Sequence, residues 1–305
     1  MKWIVGIFAG LVALAVVLMA AVAFVPGLRF VKSMALGMNS SFAGLARPLS
    51  AAPETLPARI VTGERAELYG GTLETFAGLD ATGRVVEVGV TLPLASIEKA
   101  PVMEGMTMHS HAEMRMDRRT LRMPEAARVQ TILDNVDLYY APMGHEPERY
   151  AHAHYDFHFF SIPPEQVKAI DCRDLSMIPL AHLPRGYAEG VPPFQPVAQF
   201  CVPQMGIHAI AVREFTGKNG PFEADLLLPH YGGEPISLEP MITRAKLLER
   251  QSFGGDLPQI GYWPGGKGLP TRFEARYDRA SDSYRLVFSG FRPVGAQAAR
   301  TQGGS

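Results

Sequence analysis

From Ala151 to Phe159 the sequence alternates without a break between apolar residues (Ala151, Ala153, Tyr155, Phe157, Phe159) and His152, His154, Asp156 and His158. A period of two is the pattern of an extended strand, whose successive side chains face opposite ways. The run therefore predicts a β-strand with one wholly apolar face and one made only of ionisable, ligand-type groups. A solvent-facing strand is ordinarily built from Lys, Glu, Thr and Ser. Three imidazoles and a carboxylate point instead to a metal site, with a solvent face or a hydrogen-bonded histidine network as the alternative.

The same period recurs along the chain. Thr72–Phe76 and Val85–Val90 flank Asp80-Ala81-Thr82-Gly83 and predict a β-hairpin; Arg272–Tyr277 and Tyr284–Phe288 predict another. Strands are expected within Val129–Tyr140, Tyr155–Ile162, Ala224–Leu228 and Ile236–Leu248, and one short helix over Pro163–Ile170, with proline at its start. Thirty glycines and 25 prolines demand many turns, and no long amphipathic helix or internal repeat stands out. The expected fold is mainly β, an antiparallel barrel or sandwich with few short helices, preceded by one N-terminal hydrophobic helix.

That N-terminal segment is the 23-residue uncharged run Trp3–Val25. As a helix it would reach about 34 Å, enough for a hydrocarbon layer of about 30 Å, and it exceeds the roughly 7–15 residues of a signal-peptide core. It predicts an uncleaved membrane anchor, with Ala21-Val22-Ala23 as the alternative, a signal-peptidase site. Either way the remainder lies on the exported side of the cytoplasmic membrane, in the cell envelope or secreted. The expected organisation is an anchor or signal over 1–28, a flexible linker over 29–60, a β-rich metal-site domain over 61–292 and a disordered tail over 293–305. Two cysteines past an export signal, Cys172 and Cys201, are expected to pair. A net charge of -1 with no basic block excludes nucleic acid as a partner. The partners expected are the membrane, a small-molecule ligand and a second copy of the chain.

Strand geometry limits the ligand set. Residues i and i+2 lie about 6.6 Å apart and can share an ion, whereas i and i+4 lie about 13 Å apart. His154 and His158 can bind one ion together only if the strand bends. Further ligands are expected from two turns with glycine close before a histidine, Pro142-Met143-Gly144-His145-Glu146-Pro147 and Pro203-Gln204-Met205-Gly206-Ile207-His208. The candidate metal ligands are His145, His154, His158 and His208, around one transition-metal ion: zinc first, with iron, copper or nickel compatible with the same donors. Glu146, Asp156 and Glu239 are the candidate proton-handling carboxylates; Glu239 stands out because it interrupts an apolar strand. His182 and His230 occupy turn-rich contexts and read as exposed. No GxSxG elbow or GxxxxGK[ST] loop occurs, and Gly261–Gly268 lacks the helix that would cradle phosphate.

In chain order, Gly144-His145-Glu146-Pro147, then His154–Phe160, then Met205-Gly206-Ile207-His208, then Glu239-Pro240-Met241-Ile242-Thr243 resemble the GHEP, HFDFHFY, MGxH and EPMIT motifs of an uncharacterised family of exported proteins. The resemblance spans roughly Leu68 to Leu248, with Phe160 where the family has tyrosine, and it implies no settled activity. Gly105–Glu113, with His109 and His111, is similar to the first cupin motif, but the glutamate spacing and the long gap to Pro203–His208 depart from that family. Two classes of function follow. One is a metal-dependent enzyme (hydrolase, lyase or oxygenase) acting on a small molecule, of which a cupin-like metalloenzyme is a variant. The other is a non-catalytic envelope protein that binds a ligand or partner and holds a structural ion or histidine network.

Overall fold

The computed structural model describes residue 32 and residues 44–49, 56–102, 117–191, 195–215 and 222–294. The first part of the chain forms β1 (Arg59–Leu68), β2 (Gly71–Leu79), β3 (Val85–Pro93), α1 (Leu94–Glu98), β4 (Asp117–Arg122), α2 (Glu125–Gln130), β5 (Asn135–Ala141), β6 (His154–Phe160) and α3 (Pro164–Lys168). Then come β7 (Tyr187–Glu189), β8 (Cys201–Val202), β9 (Gly206–Ala211), β10 (Ala224–Tyr231), β11 (Glu234–Pro235), β12 (Ser237–Thr243) and α4 (Arg244–Leu248). The last strands are β13 (Phe253–Asp256), β14 (Gly268–Leu269), β15 (Arg272–Asp278), β16 (Ser283–Ser289) and β17 (Arg292–Pro293).

The main strands build two antiparallel sheets. One has six strands in the order β1-β2-β3-β16-β15-β13. The other has nine, in the order β4-β5-β6-β12-β10-β9-β7, with β11 beside β10 and β8 beside β9. Both end in edge strands, so the barrel expected as one alternative does not close among the described residues. The sheets share one apolar core. From β6 it takes Tyr155, Phe157 and Phe159, all fully buried; Phe159 meets Phe288 of β16 edge-on at 4.9 Å between ring centroids. Burying each such ring contributes roughly 1.5–3 kcal/mol, which fixes the parity of β6 and so the direction of its histidines.

Both expected hairpins form, as β2–β3 and β15–β16. In the first turn the Asp80 Oδ1 accepts from the Thr82 amide at 2.9 Å, the Thr82 hydroxyl at 2.7 Å and the Arg84 amide at 3.0 Å. Two strand expectations need correction. The first half of Val129–Tyr140 is the end of α2 and a turn: Pro124 opens that helix, Glu125 favours its first turn, and only from Asn135 is the chain extended. The second half of Ile236–Leu248 is α4, whose entry is capped by Thr243 Oγ1 accepting from the Lys246 amide at 3.1 Å.

Trp3–Val25 and Gly105–Glu113 lie outside the described residues, and among the described residues no helix is long and apolar enough to cross a membrane. Within the stretch expected as linker, Leu45 is buried against the domain and Pro48 bridges Phe253. Cys172 and Cys201 are joined in a disulfide, tying the segment after α3 to β8 and through it to β9.

Candidate metal centre

The face of β6 opposite the core carries His154, Asp156 and His158, and it does not meet solvent: all three are buried. Neighbouring strands extend this face. Asp137 and Tyr139 of β5 stand opposite His158 and Asp156, and Met241 of β12 stands opposite Asp156 from the other side. Glu239, two residues before Met241, shares its face; His208 of β9 is reached across β10, where Leu227 pairs Glu239 and Pro229 pairs His208. Tyr150 and Phe222 cover His154, Phe222 edge-on at 5.5 Å, and share one apolar cluster with Ile210, Leu227 and Met241 of the sheet.

His145 arrives from the turn after β5. Gly144 holds φ at +71°, and a Cβ there would stand 2.7 Å from the His152 carbonyl oxygen and closer still to Tyr150 O and His152 N. Only glycine lets this turn fold so tightly, and the result sets the His145 ring edge-on to His154 at 4.7 Å. Gly206 has the same function two residues before His208: at φ +87° it lies against the His230 backbone carbonyl.

The fold gathers these residues into two groups of three. In the first, His154 Nε2 is 3.0 Å from Asp156 Oδ1 and His145 Nε2 is 3.7 Å from Asp156 Oδ2. In the second, His158 Nε2 and His208 Nε2 are each 3.3 Å from an oxygen of Glu239 and 3.5 Å from each other. Two ligand atoms on one tetrahedral zinc at 2.0–2.1 Å stand about 3.3–3.4 Å apart, close to the spacing of the two imidazole nitrogens and of each from its nearer Glu239 oxygen. In the first group the tautomers are set by the backbone. His145 Nδ1 donates to Glu146 O at 2.8 Å and His154 Nδ1 donates to His152 O at 2.6 Å. In its neutral form a ring so held has its Nε2 lone pair aimed at a carboxylate, the arrangement in which a ligating histidine is held by its other nitrogen. His154 Nε2, Asp156 Oδ1 and Glu239 Oε2 are buried with no hydrogen-bond partner, as is His158 Nδ1.

Burial and mutual charge perturb these groups strongly. Burial pushes His158 down to about 3, with the His208 imidazole beside it, and His208 down to about 4, with His145 nearby. Both rings are therefore neutral and lone-pair-bearing at neutral pH, the form a metal needs. Burial also drives the Glu239 carboxyl well above its ordinary range, helped by the Asp156 charge. Asp156 behaves oppositely: burial alone would raise it, but His154 and His145 outweigh burial and hold it well below the usual carboxylate range. His145 is raised, because its contact with Asp156 overcomes desolvation. Burial raises Asp137 and Tyr139 as well.

Six of the residues singled out from sequence thus come together: His145, His154, Asp156, His158, His208 and Glu239. Glu146 does not join them; its side chain is exposed, and its carbonyl orients His145. His152 is likewise exposed and contributes its carbonyl. His182 stacks on Tyr262 at 3.8 Å away from the site. His230, expected to be exposed, is fully buried on the opposite sheet face, 3.8 Å from Glu189, because β10 runs on through it and pairs it with Ile207 of β9. Sequence reasoning missed Tyr139, Asp137 and the cover residues Tyr150 and Phe222. The alternation Asp137-Leu138-Tyr139 was the available signal for the first two.

No curated protein and no solved structure matches the chain. A family model does match part of it, from the β2–β3 turn to the end of β5, ahead of all six clustered residues. Over residues 80–140 the chain is similar to the family described as TTHB210-like, hypothetical protein TTHB210.

Proposed function

We propose that this chain is an exported, membrane-anchored, metal-binding β-sandwich protein whose ion serves a metal-dependent reaction on a small molecule. The observation that carries the metal is the first triad. Two imidazoles are fixed by backbone carbonyls so that their remaining nitrogens converge on one buried carboxylate. With the imidazoles neutral and Asp156 ionised, the three groups offer only acceptors to one another, and a cation between them removes that conflict. Two histidines and one carboxylate suit zinc, iron, copper or nickel, and three protein ligands leave a position open for water or substrate, the arrangement of catalytic rather than structural sites. His145, with 18% of its side chain exposed, is the side from which a ligand reaches the first triad.

Export is supported by the Cys172–Cys201 disulfide, which belongs to an oxidising compartment, and by the uncharged run Trp3–Val25. A structural ion in a non-catalytic envelope protein is the second reading, favoured by the complete burial of His154 beneath Phe222. The test offers zinc, iron, copper and nickel in turn to chelator-stripped protein and measures bound metal and melting temperature. Stoichiometric binding with a rise in melting temperature is expected; no binding to any of the four ends the metal reading. For topology, a C-terminally tagged chain is expected to stay in the membrane pellet after alkaline carbonate extraction. Its release, shortened by about two dozen residues, would show cleavage instead.

A further inference from the structure

We propose that the domain holds two metal ions side by side, the second bound by His158, His208 and Glu239. This rests on the metal reading of the first triad and extends it from one ion to two. The six donors cannot converge on a single ion. His154 and His158 are four residues apart on an extended strand, about 13 Å, and each points to its own carboxylate: His154 to Asp156 and His158 to Glu239. The sets do not overlap; each is two imidazoles and one carboxylate, with donor atoms all within 4.8 Å of one another.

The charge pattern of this sheet face makes the same division. Four acids lie on it. Asp137 is paired by Arg118 and Asp225 by Arg149. Asp156 and Glu239, the inner two, have no lysine or arginine partner among the described residues and are each flanked by two imidazoles. Buried carboxyl oxygens left without a hydrogen-bond partner are costly, and here there are two, Asp156 Oδ1 and Glu239 Oε2, one in each triad. Glu239 shows the need most directly: it is buried, its Oε2 has no hydrogen-bond donor, and its Oε1 and Oε2 stand 3.3 Å from the Nε2 atoms of His158 and His208 respectively. One ion in the first triad would leave Glu239 in this state; a second removes it. Solvent reaches the second triad at His208, 19% exposed, as it reaches the first at His145.

The test is a zinc titration of the full-length, chelator-stripped protein in detergent, with bound metal counted by elemental analysis. Wild type is expected to bind two ions per chain, His154→Ala and Glu239→Gln one each, and the double variant none. Glu239→Gln keeps the side-chain volume, and His208→Ala, at a partly exposed position, repeats the same deletion should the glutamine variant fold poorly. A wild type that binds one ion overturns the second site while leaving the metal reading intact. Two ions that both survive Glu239→Gln and His208→Ala also overturn it. Binding of none overturns both.

Discussion

Replacing Gly144 by alanine separates the two reasons why the turn before His145 requires glycine. The first is conformation: φ is +71°, where an L side chain costs about 1–2 kcal/mol. The second is space, because the added Cβ would overlap Tyr150 O and the His152 amide, backbone atoms that cannot swing aside. Overpacking of that kind costs about 1–3 kcal/mol, so the sum is about 2–5 kcal/mol. For a domain of this size each kcal/mol moves the melting temperature by about 2–4 °C, giving a fall of about 4–20 °C. Gly265→Ala is the internal control. Its φ is +88° but nothing lies within 4 Å of the new Cβ, so only the conformational part, about 1–2 kcal/mol, applies. Differential scanning calorimetry of both variants measures the difference, and zinc content reports whether His145 has moved with its turn. If Gly144→Ala melts no lower than Gly265→Ala, the close approach does not shape the site.

Three further outcomes are expected. Converting Cys172 and Cys201 to serine opens a loop with a sequence separation of 29 and should cost about 3–4 kcal/mol by urea unfolding; an unchanged midpoint would contradict this. The Asp80 carboxyl is pushed down to about 2, chiefly by the Thr82 hydroxyl, so its contribution is present above its unfolded value of 3.8 and is lost as pH falls toward 2. A carbonyl NMR titration with its midpoint near 3.8 would show that the turn does not hold it. Phe157→Ala, at a fully buried ring of β6, should cost about 3–5 kcal/mol, whereas Leu56→Ala, at an exposed position, should stay within about 0.5 kcal/mol; equal melting curves would refute the parity of the strand.

The local pattern carried much of this structure. The parity of β6 was legible because Tyr155, Phe157 and Phe159 leave no other face for the core, and that alone aims His154, Asp156 and His158 together. What was not legible is adjacency. β6 pairs with β12, and nothing in either run of residues names the other as partner, so Glu239 could be suspected as a carboxylate in an apolar strand but not placed beside His158. The division into two triads follows from that pairing. Apolar runs also hide their own ends: Val129 and Leu247 read as strand because short apolar stretches look alike in both periods. The capping residues Pro124 and Thr243, which end the ambiguity, mark one residue each rather than a pattern. Open sheets against a closed barrel turn on β1 and β13 staying apart, a long-range matter of the same kind.

The pairing of β3 with β16, in which Gly89 meets Val287, sets an order of events for a chain that emerges from its N-terminus. β1, β2 and β3 can assemble early as a meander, but the free edge of β3, with Val88, Val90 and Leu92 waiting to be covered, stays unpaired until nearly the last strand is delivered. Such an edge is a template for pairing with other chains, and contacts that span most of a sequence form slowly. A chain cut short before β16 would therefore keep every histidine and carboxylate of the two triads and still fail, by aggregating along β3 rather than by losing its chemistry.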